Sequence, residues 1–333
     1  RMAPCRGSQA VRYLDARGKR IEDRAKLERI AQLVIPPAWS DVWISPRVGA
    51  KLQATGLDAA GRRQYLYHLD FRARQEQLKF DKLVRFAERL PELRAAMTEH
   101  MKLEPYERDR VCAVAVRLVN LGWFRVGSDR YAKSSRTYGV TTLLKSHVSV
   151  RGARVSLRFR AKHRLLVRTT LVDEELATAI RDLRDQPGGT RLFRYGDPGE
   201  RCNLTGQVLN DYIRRYMGED FTAKDFRTWG GTLTAAIALA ERGPVEDAKE
   251  EKRILAAVMR SVGERLGNTP AVARSAYVSP AVVEQYLDGR TIADFRPRHL
   301  RVVKARDLGL DPEEQALLSL VRSWRIRRAR QAA

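Results

Sequence analysis

The sequence predicts an α+β protein in two parts: a small β-rich N-terminal domain (residues 1–76) followed by a mainly α-helical domain (residues 77–333) that carries a small antiparallel sheet. Three observations predict it. Short apolar stretches broken by turn formers fill residues 11–75. Near Phe80 the apolar spacing becomes helical, and strict alternation returns once, over residues 148–169. With 333 residues, 44% of them hydrophobic, the chain has enough material for a sizeable core.

Taken in order, Ile35-Pro36-Pro37-Ala38-Trp39, Ser45-Pro46 and Asp58-Ala59-Ala60-Gly61 punctuate the N-terminal part as turns. Between them Val42-Trp43-Ile44 and Gln64-Tyr65-Leu66-Tyr67-His68-Leu69 read as strands, with Tyr65 and Tyr67 on one face and Leu66 and His68 on the other. Phe80, Leu83, Val84, Ala87, Leu90 and Leu93 then fall at helical spacing, which places the domain boundary within residues 72–79, and the pattern continues from Val111 to Leu121. The helical region is expected to be interrupted once, by strands at Val148-Ser149-Val150, Val155–Arg160 and Leu165–Thr169. In the middle strand Val155, Leu157 and Phe159 face one side and Ser156, Arg158 and Arg160 the other, while Ala161-Lys162-His163-Arg164 forms a hairpin tip. Helical patterning resumes after Val172, with breaks at Gln186-Pro187-Gly188-Gly189 and Gly196-Asp197-Pro198-Gly199. It ends in a segment whose apolar stripe (Leu317, Leu318, Val321, Trp324) runs into Arg325, Arg327, Arg328 and Arg330.

Charge narrows the partner. The 63 Lys and Arg against 40 Asp and Glu give a formal net charge of +23, which favours a polyanion, with nucleic acid ahead of an anionic membrane surface. Cys5, Cys112 and Cys202 are odd in number and widely separated, so they indicate neither a disulfide framework nor a zinc site and fit a reducing compartment. The five His show no HExxH or other metal-ligand spacing, and no GxxxxGK[ST] loop is present to hold nucleotide phosphates; no metal or cofactor is expected. The N-terminus lacks an apolar run of signal-peptide length, and no run reaches the roughly 18 residues a membrane span needs, so a soluble cytosolic protein is expected. Arg1 precedes Met2 and carries no part of the argument.

Four segments hold residues suited to phosphate chemistry: Gly122-Trp123-Phe124-Arg125-Val126-Gly127, the hairpin tip with Lys162, Lys224-Asp225-Phe226-Arg227-Thr228-Trp229-Gly230-Gly231-Thr232, and Leu266-Gly267-Asn268-Thr269-Pro270 leading to Tyr277. A tyrosine can exchange one phosphodiester for another by forming a covalent intermediate. Its phenol, with a reference pKa of about 10, needs activation at neutral pH. Arginines bind the nonbridging oxygens of the transition state in bidentate fashion, and a lysine of lowered pKa protonates the leaving 5′ oxygen. Each residue also has an ordinary use. Tyr277 suits packing, Arg227 a salt bridge, Lys162 an exposed turn, and Asn268 a helix cap serving Thr269-Pro270.

The ordered set resembles the type IB DNA topoisomerases, specifically the small poxvirus-like and bacterial branch. The resemblance implies that Arg125 and Arg227 are the catalytic arginines, Lys162 the hairpin lysine, with Lys133 and Lys145 nearby in sequence, and Tyr277 the nucleophile. Asn268 stands where many members carry His in Leu-Gly-His-Thr, so its implied role is electrostatic rather than that of an acid or base. Pro36-Pro37-Ala38-Trp39 and Gly61-Arg62-Arg63-Gln64-Tyr65-Leu66-Tyr67 extend the resemblance to the family's N-terminal DNA-binding domain, in which Gln64, Tyr65 and Tyr67 would contact DNA; packing within a sheet is the other use of the two tyrosines. The resemblance further implies a monomeric, ATP-independent bacterial enzyme of the nucleoid. It would close as a clamp on double-stranded DNA and relax supercoils of both signs through a 3′-phosphotyrosyl intermediate. A tyrosine recombinase or integrase is the alternative, although such proteins usually carry His-x-x-Arg where this chain has Lys224-Asp225-Phe226-Arg227. A noncatalytic DNA-binding protein is a third reading that charge alone would satisfy.

Overall fold

The computed structural model describes residues 12–197, 199–296 and 309–332; Arg1, Met2 and Cys5 lie outside them. The chain divides after Phe80 into two compact units. In the first, helix α1 (Arg24–Gln32) precedes a three-stranded antiparallel meander of β1 (Ser40–Ile44), β2 (Leu52–Leu57) and β3 (Arg63–Tyr67), in the order β1-β2-β3. Strand β2 was not legible in the sequence. Its burial runs almost unbroken from Gln53 to Gly56, and it owes this to two sequence-breaking residues. Gln53, 3% exposed, donates to Val48 O and Ala50 O and accepts from Arg29 of α1, so its amide is satisfied inside the unit. Gly56 lies flat against Trp39, since a methyl group there would sit 2.6 Å from the indole.

Helix α2 (Leu69–His100) is 32 residues long and starts eleven residues before Phe80, where helical spacing first shows in the sequence. The division after Phe80 thus falls inside a continuous helix. Beyond it, Leu90, Leu93 and Met97 are fully buried, and Phe86 meets Phe226 edge-on at 4.9 Å. Helix α3 (Arg108–Gly122) is buried from Arg110 to Val116, as a central helix must be. After α4 (Asp129–Ser135) come β4 (Val148–Arg151), β5 (Arg154–Arg160) and β6 (Leu166–Val172), an antiparallel sheet whose Val155, Leu157 and Phe159 are buried and whose Arg158 and Arg160 are exposed.

Helix α5 (Glu174–Asp185) follows, but the Gly196–Gly199 break is not a gap between helices. On either side of it β7 (Arg194–Tyr195) and β8 (Cys202–Asn203) pair antiparallel, so among the described residues the helical region is interrupted twice. Two-residue strands are too short to show alternation, which is why the sequence does not reveal them. The remaining helices are α6 (Gly206–Met217), α7 (Ala223–Arg242), α8 (Ala248–Leu266), α9 (Pro270–Ala276), α10 (Pro280–Leu287) and α11 (Pro312–Ala332). Among the described residues no helix is long and apolar enough to cross a membrane, and no group of three or more His, Cys, Asp or Glu is placed to hold a metal ion.

Helix α11 is fastened to α2 and α7 by one buried carboxylate. Glu314, 3% exposed, accepts from both terminal nitrogens of Arg94 at 2.7 and 2.8 Å and from Trp229 Nε1 at 3.0 Å. Removing one partner of such a pair strands the other charge out of water. Glu314→Ala is therefore expected to lower the unfolding free energy by about 3–5 kcal/mol, read by urea denaturation.

Candidate active site

Arg125 follows the end of α3. Trp123, the C-cap of that helix, is left-handed (φ 51°) and turns the chain, and Arg125 O and Val126 O then accept from Val140 N and Thr141 N at 2.9 and 2.8 Å. Gly139 permits this pairing, because a methyl group there would lie 2.4 Å from Arg125 O. The backbone of Arg125 is thus fixed by main-chain bonds before its side chain acts.

Arg227 comes from the first turns of α7, and the Lys-Asp-Phe-Arg run has a distinct use for each residue. Asp225 closes a capping box with Thr222, Phe226 enters the core, Arg227 turns inward at 5% exposure, and Lys224 stays exposed. Arg227 donates Nη1 to Trp123 O at 2.7 Å and Nη2 to Leu266 O at 2.8 Å; its Nε is buried without a partner.

The Leu-Gly-Asn-Thr-Pro run is a helix stop and restart. Leu266 ends α8, Gly267 caps it at φ 62°, Thr269 N-caps α9 by accepting from Val272 N, and Pro270 takes the first helical position. The cap of α9 is Thr269, not Asn268, so the Asn268 side chain is available for the site. Its Oδ1 accepts from Arg125 Nη2 at 2.8 Å and its Nδ2 donates to Leu266 O at 3.2 Å. A guanidinium accepts no hydrogen bond, which fixes the amide in this orientation. Arg125 Nη2 also donates to Gly267 O at 3.0 Å.

Tyr277 caps the C-terminus of α9, with its carbonyl accepting from Thr232 Oγ1 at 3.0 Å. Gly231 lies against it, since a methyl group there would sit 2.9 Å from both Tyr277 Cβ and Tyr277 O. The Arg227 guanidinium carbon is 4.9 Å from the phenol ring centroid. Burial pushes the phenol up, but the charge and hydrogen bonding of Arg227, with the charges of Arg125 and Lys224, outweigh it and hold Tyr277 below the usual tyrosine range. Burial, and then repulsion from Arg227, lower Arg125 to about 10.

Arg125, Arg227, Asn268 and Tyr277, drawn from four segments, therefore meet. Lys162 does not join them by a hydrogen bond or ion pair; it stands exposed on the turn between β5 and β6. Of its neighbours in sequence, Lys145 donates to Gln186 O and Lys133 lies on α4. In the first unit, Tyr65 and Tyr67 are 50% and 40% exposed with rings stacked at 6.3 Å, and Gln64 Nε2 donates to Asp58 at 2.9 Å. The sequence pattern assigned no role to Lys224, Gly231 or Thr232. Lys224 sits one helical turn from Arg227, a spacing that could have flagged it.

The family model described as eukaryotic DNA topoisomerase I, catalytic core, matches residues 68–294, a span that contains all five residues from Arg125 to Tyr277. The chain belongs to the type IB DNA topoisomerase family. A second family model, bacterial DNA topoisomerase IB, N-terminal domain, matches residues 10–58, so Gln64, Tyr65 and Tyr67 fall between the two matches. DNA topoisomerase 1B of Acanthamoeba polyphaga mimivirus is 32% identical over 78% of this chain and 80% of its own length. DNA topoisomerase I of monkeypox virus is 22% identical over 80% and 84%, and DNA topoisomerase 1B of vaccinia virus (strain Copenhagen) 21% over the same shares. The enzyme is thus a DNA topoisomerase of type IB rather than a recombinase.

Arg227→Gln removes the charge that does most to hold the Tyr277 phenol down. Its pKa is expected to rise, read by pH titration of the ¹³Cζ-tyrosine NMR signal with Tyr277→Phe for assignment.

Proposed function

We propose that this enzyme relaxes positively and negatively supercoiled DNA without ATP, cutting one strand of the duplex and resealing it through a 3′-phosphotyrosyl link to Tyr277. The observation that carries the proposal is the half-buried phenol beside two guanidiniums, its pKa lowered by their charge. Tyr277 Oη forms a bond to phosphorus as the bond from phosphorus to the 5′ oxygen breaks. The phenolic proton leaves to water, and Lys162 gives a proton to the 5′ oxygen. Torsion then swivels the free end before the reverse reaction.

Each remaining group has a task. Arg227, with Nη1 and Nη2 held by carbonyls, keeps its unpartnered Nε–H for a nonbridging oxygen. Arg125 is anchored through one terminal nitrogen, Nη2. This leaves its other N–H groups for the same phosphate. Asn268 holds Arg125 by its oxygen and has a second amide hydrogen for the phosphate. The arginines supply the positive charge the transition state needs. In the first unit the exposed Tyr65 and Tyr67, with Gln64, contact the duplex, so that both units grip one DNA as a clamp and the protein acts as a monomer in the bacterial cytoplasm.

Supercoiled plasmid of either sign, in EDTA and without ATP, is expected to relax with wild type and to stay supercoiled with Tyr277→Phe, and denatured wild-type reactions should carry protein on the 3′ end. Tight binding without relaxation or adduct would leave a DNA-binding protein instead. Gly231→Ala, which forces Tyr277 aside, is expected to slow strand cleavage roughly 100-fold with DNA affinity kept, measured under single-turnover conditions.

A further inference from the structure

Lys162 stands exposed on its turn with no hydrogen bond or ion pair to the other members of the proposed set, yet a general acid must be placed within hydrogen-bond reach of the oxygen it protonates. The tip that carries it is a tight reversal. Ala161 N donates to Leu165 O at 2.8 Å, and Arg160 O, at the end of β5, accepts from Tyr138 N at 2.7 Å. Between these anchors His163 and Arg164 are both left-handed, at φ 62° and 58°. Two successive residues with side chains in that region hold their shape only where the surroundings over-determine it.

The next residue makes the link. Leu165 is 46% exposed, but its Cδ1 reaches the cap of α8: a methyl group built on Gly267 would lie 3.5 Å from Leu165 Cδ1 and 3.4 Å from Arg125 Nη1. Leu165, Gly267, Arg125 and Arg227 line one cavity of about 450 Å³. Gly267 has no side chain, and a methyl group there would be in ordinary contact with both Leu165 and Arg125, so the leucine side chain stands beside the backbone between Leu266 and Asn268, whose carbonyl and side-chain amide hold the arginines.

We propose that Leu165 is a positioning residue for Lys162, its side chain beside the Gly267 cap setting the distance between the lysine and the arginine-bound phosphate. The proposal rests on Lys162 acting as the acid of strand cleavage. Leu165 touches neither DNA nor the reacting atoms in this role; it acts through the tip.

The test uses the full chain and single-turnover cleavage of two duplexes, one with the normal 5′ oxygen and one with a 5′-bridging sulfur, a leaving group that needs no acid. Leu165→Ala is expected to cleave the normal duplex roughly 10- to 100-fold more slowly than wild type. On the sulfur duplex it should run close to wild type, and Leu165→Met should restore the normal rate. Equal slowing on both duplexes would mark damage to the arginine cradle and overturn the proposal, as would no slowing on either. Lys162→Ala on the same pair separates the two ideas. If Lys162→Ala recovers with sulfur and Leu165→Ala does not, the positioning role alone falls. If Lys162→Ala does not recover, the acid role falls and the positioning role with it.

Discussion

The site depends on burying two like charges side by side, and helix ends make that possible. Arg227 and Arg125 repel each other, which is part of why Arg125 is lowered to about 10. Apart from the side-chain oxygen of Asn268, their acceptors are backbone carbonyls at the C-terminal ends of helices: Trp123 O after α3, and Leu266 O and Gly267 O at the end of α8. Such carbonyls lack partners within their own helix and carry the negative end of its dipole. The guanidiniums satisfy them, and they in turn stabilise the guanidiniums without adding a carboxylate. A carboxylate there would neutralise the charge that a phosphate is to meet.

Close packing around this pair follows from the same constraint. Trp123 must bring its carbonyl to Arg227, and its indole lies so tightly on α7 that a methyl group at Gly230 would be 2.1 Å from the ring. The adjacent Gly231 admits Tyr277, and Thr232 fixes the Tyr277 carbonyl while accepting from Ser279 N. Gly230-Gly231-Thr232 on α7 is therefore one surface that seats the arginine's acceptor on one side and the Tyr277 backbone on the other. Two consecutive glycines weaken a helix by about 1 kcal/mol each relative to alanine, which this contact has to outweigh.

The larger features of the fold were legible because each repeats. The alternation of Val155, Leu157 and Phe159 and the helical stripe from Leu83 to Leu93 extend over several turns or residues, so local pattern decides them. Strand β2 was hidden because its polar Gln53 is satisfied by distant Arg29 and its Gly56 by Trp39, partners that sequence spacing does not reveal. In the site, the resemblance to the type IB topoisomerases pointed to Arg125, Arg227 and Tyr277, which phosphate chemistry alone could not have chosen from the 11 tyrosines and many arginines of the chain. What each one bonds to was not legible. All but one of the acceptors, Asn268 Oδ1, are main-chain carbonyls, identical in every residue, and only the chain path brings them to the guanidiniums. Lys224 escaped for the opposite reason: it acts at a distance through charge, and an exposed lysine in a helix's first turn looks like any other.

The same electrostatics gives a reason for Asn at position 268, where the family often has His. The side chain there accepts from Arg125 Nη2 while donating to Leu266 O. A neutral imidazole can accept on one nitrogen and donate from the other, but once protonated it donates from both and can no longer hold Arg125. It would also add a third cation beside a guanidinium whose pKa is already lowered by burial and by Arg227. An amide keeps one acceptor and two donors at every pH in the working range. In the proposed reaction Asn268 would forgo the extra positive charge an imidazolium brings to the phosphate, while the position of Arg125 does not depend on the protonation state of its neighbour. With Arg125 fixed in this way, the proposed reaction would confine its changing charge to Tyr277, the phosphate and the lysine on the hairpin tip.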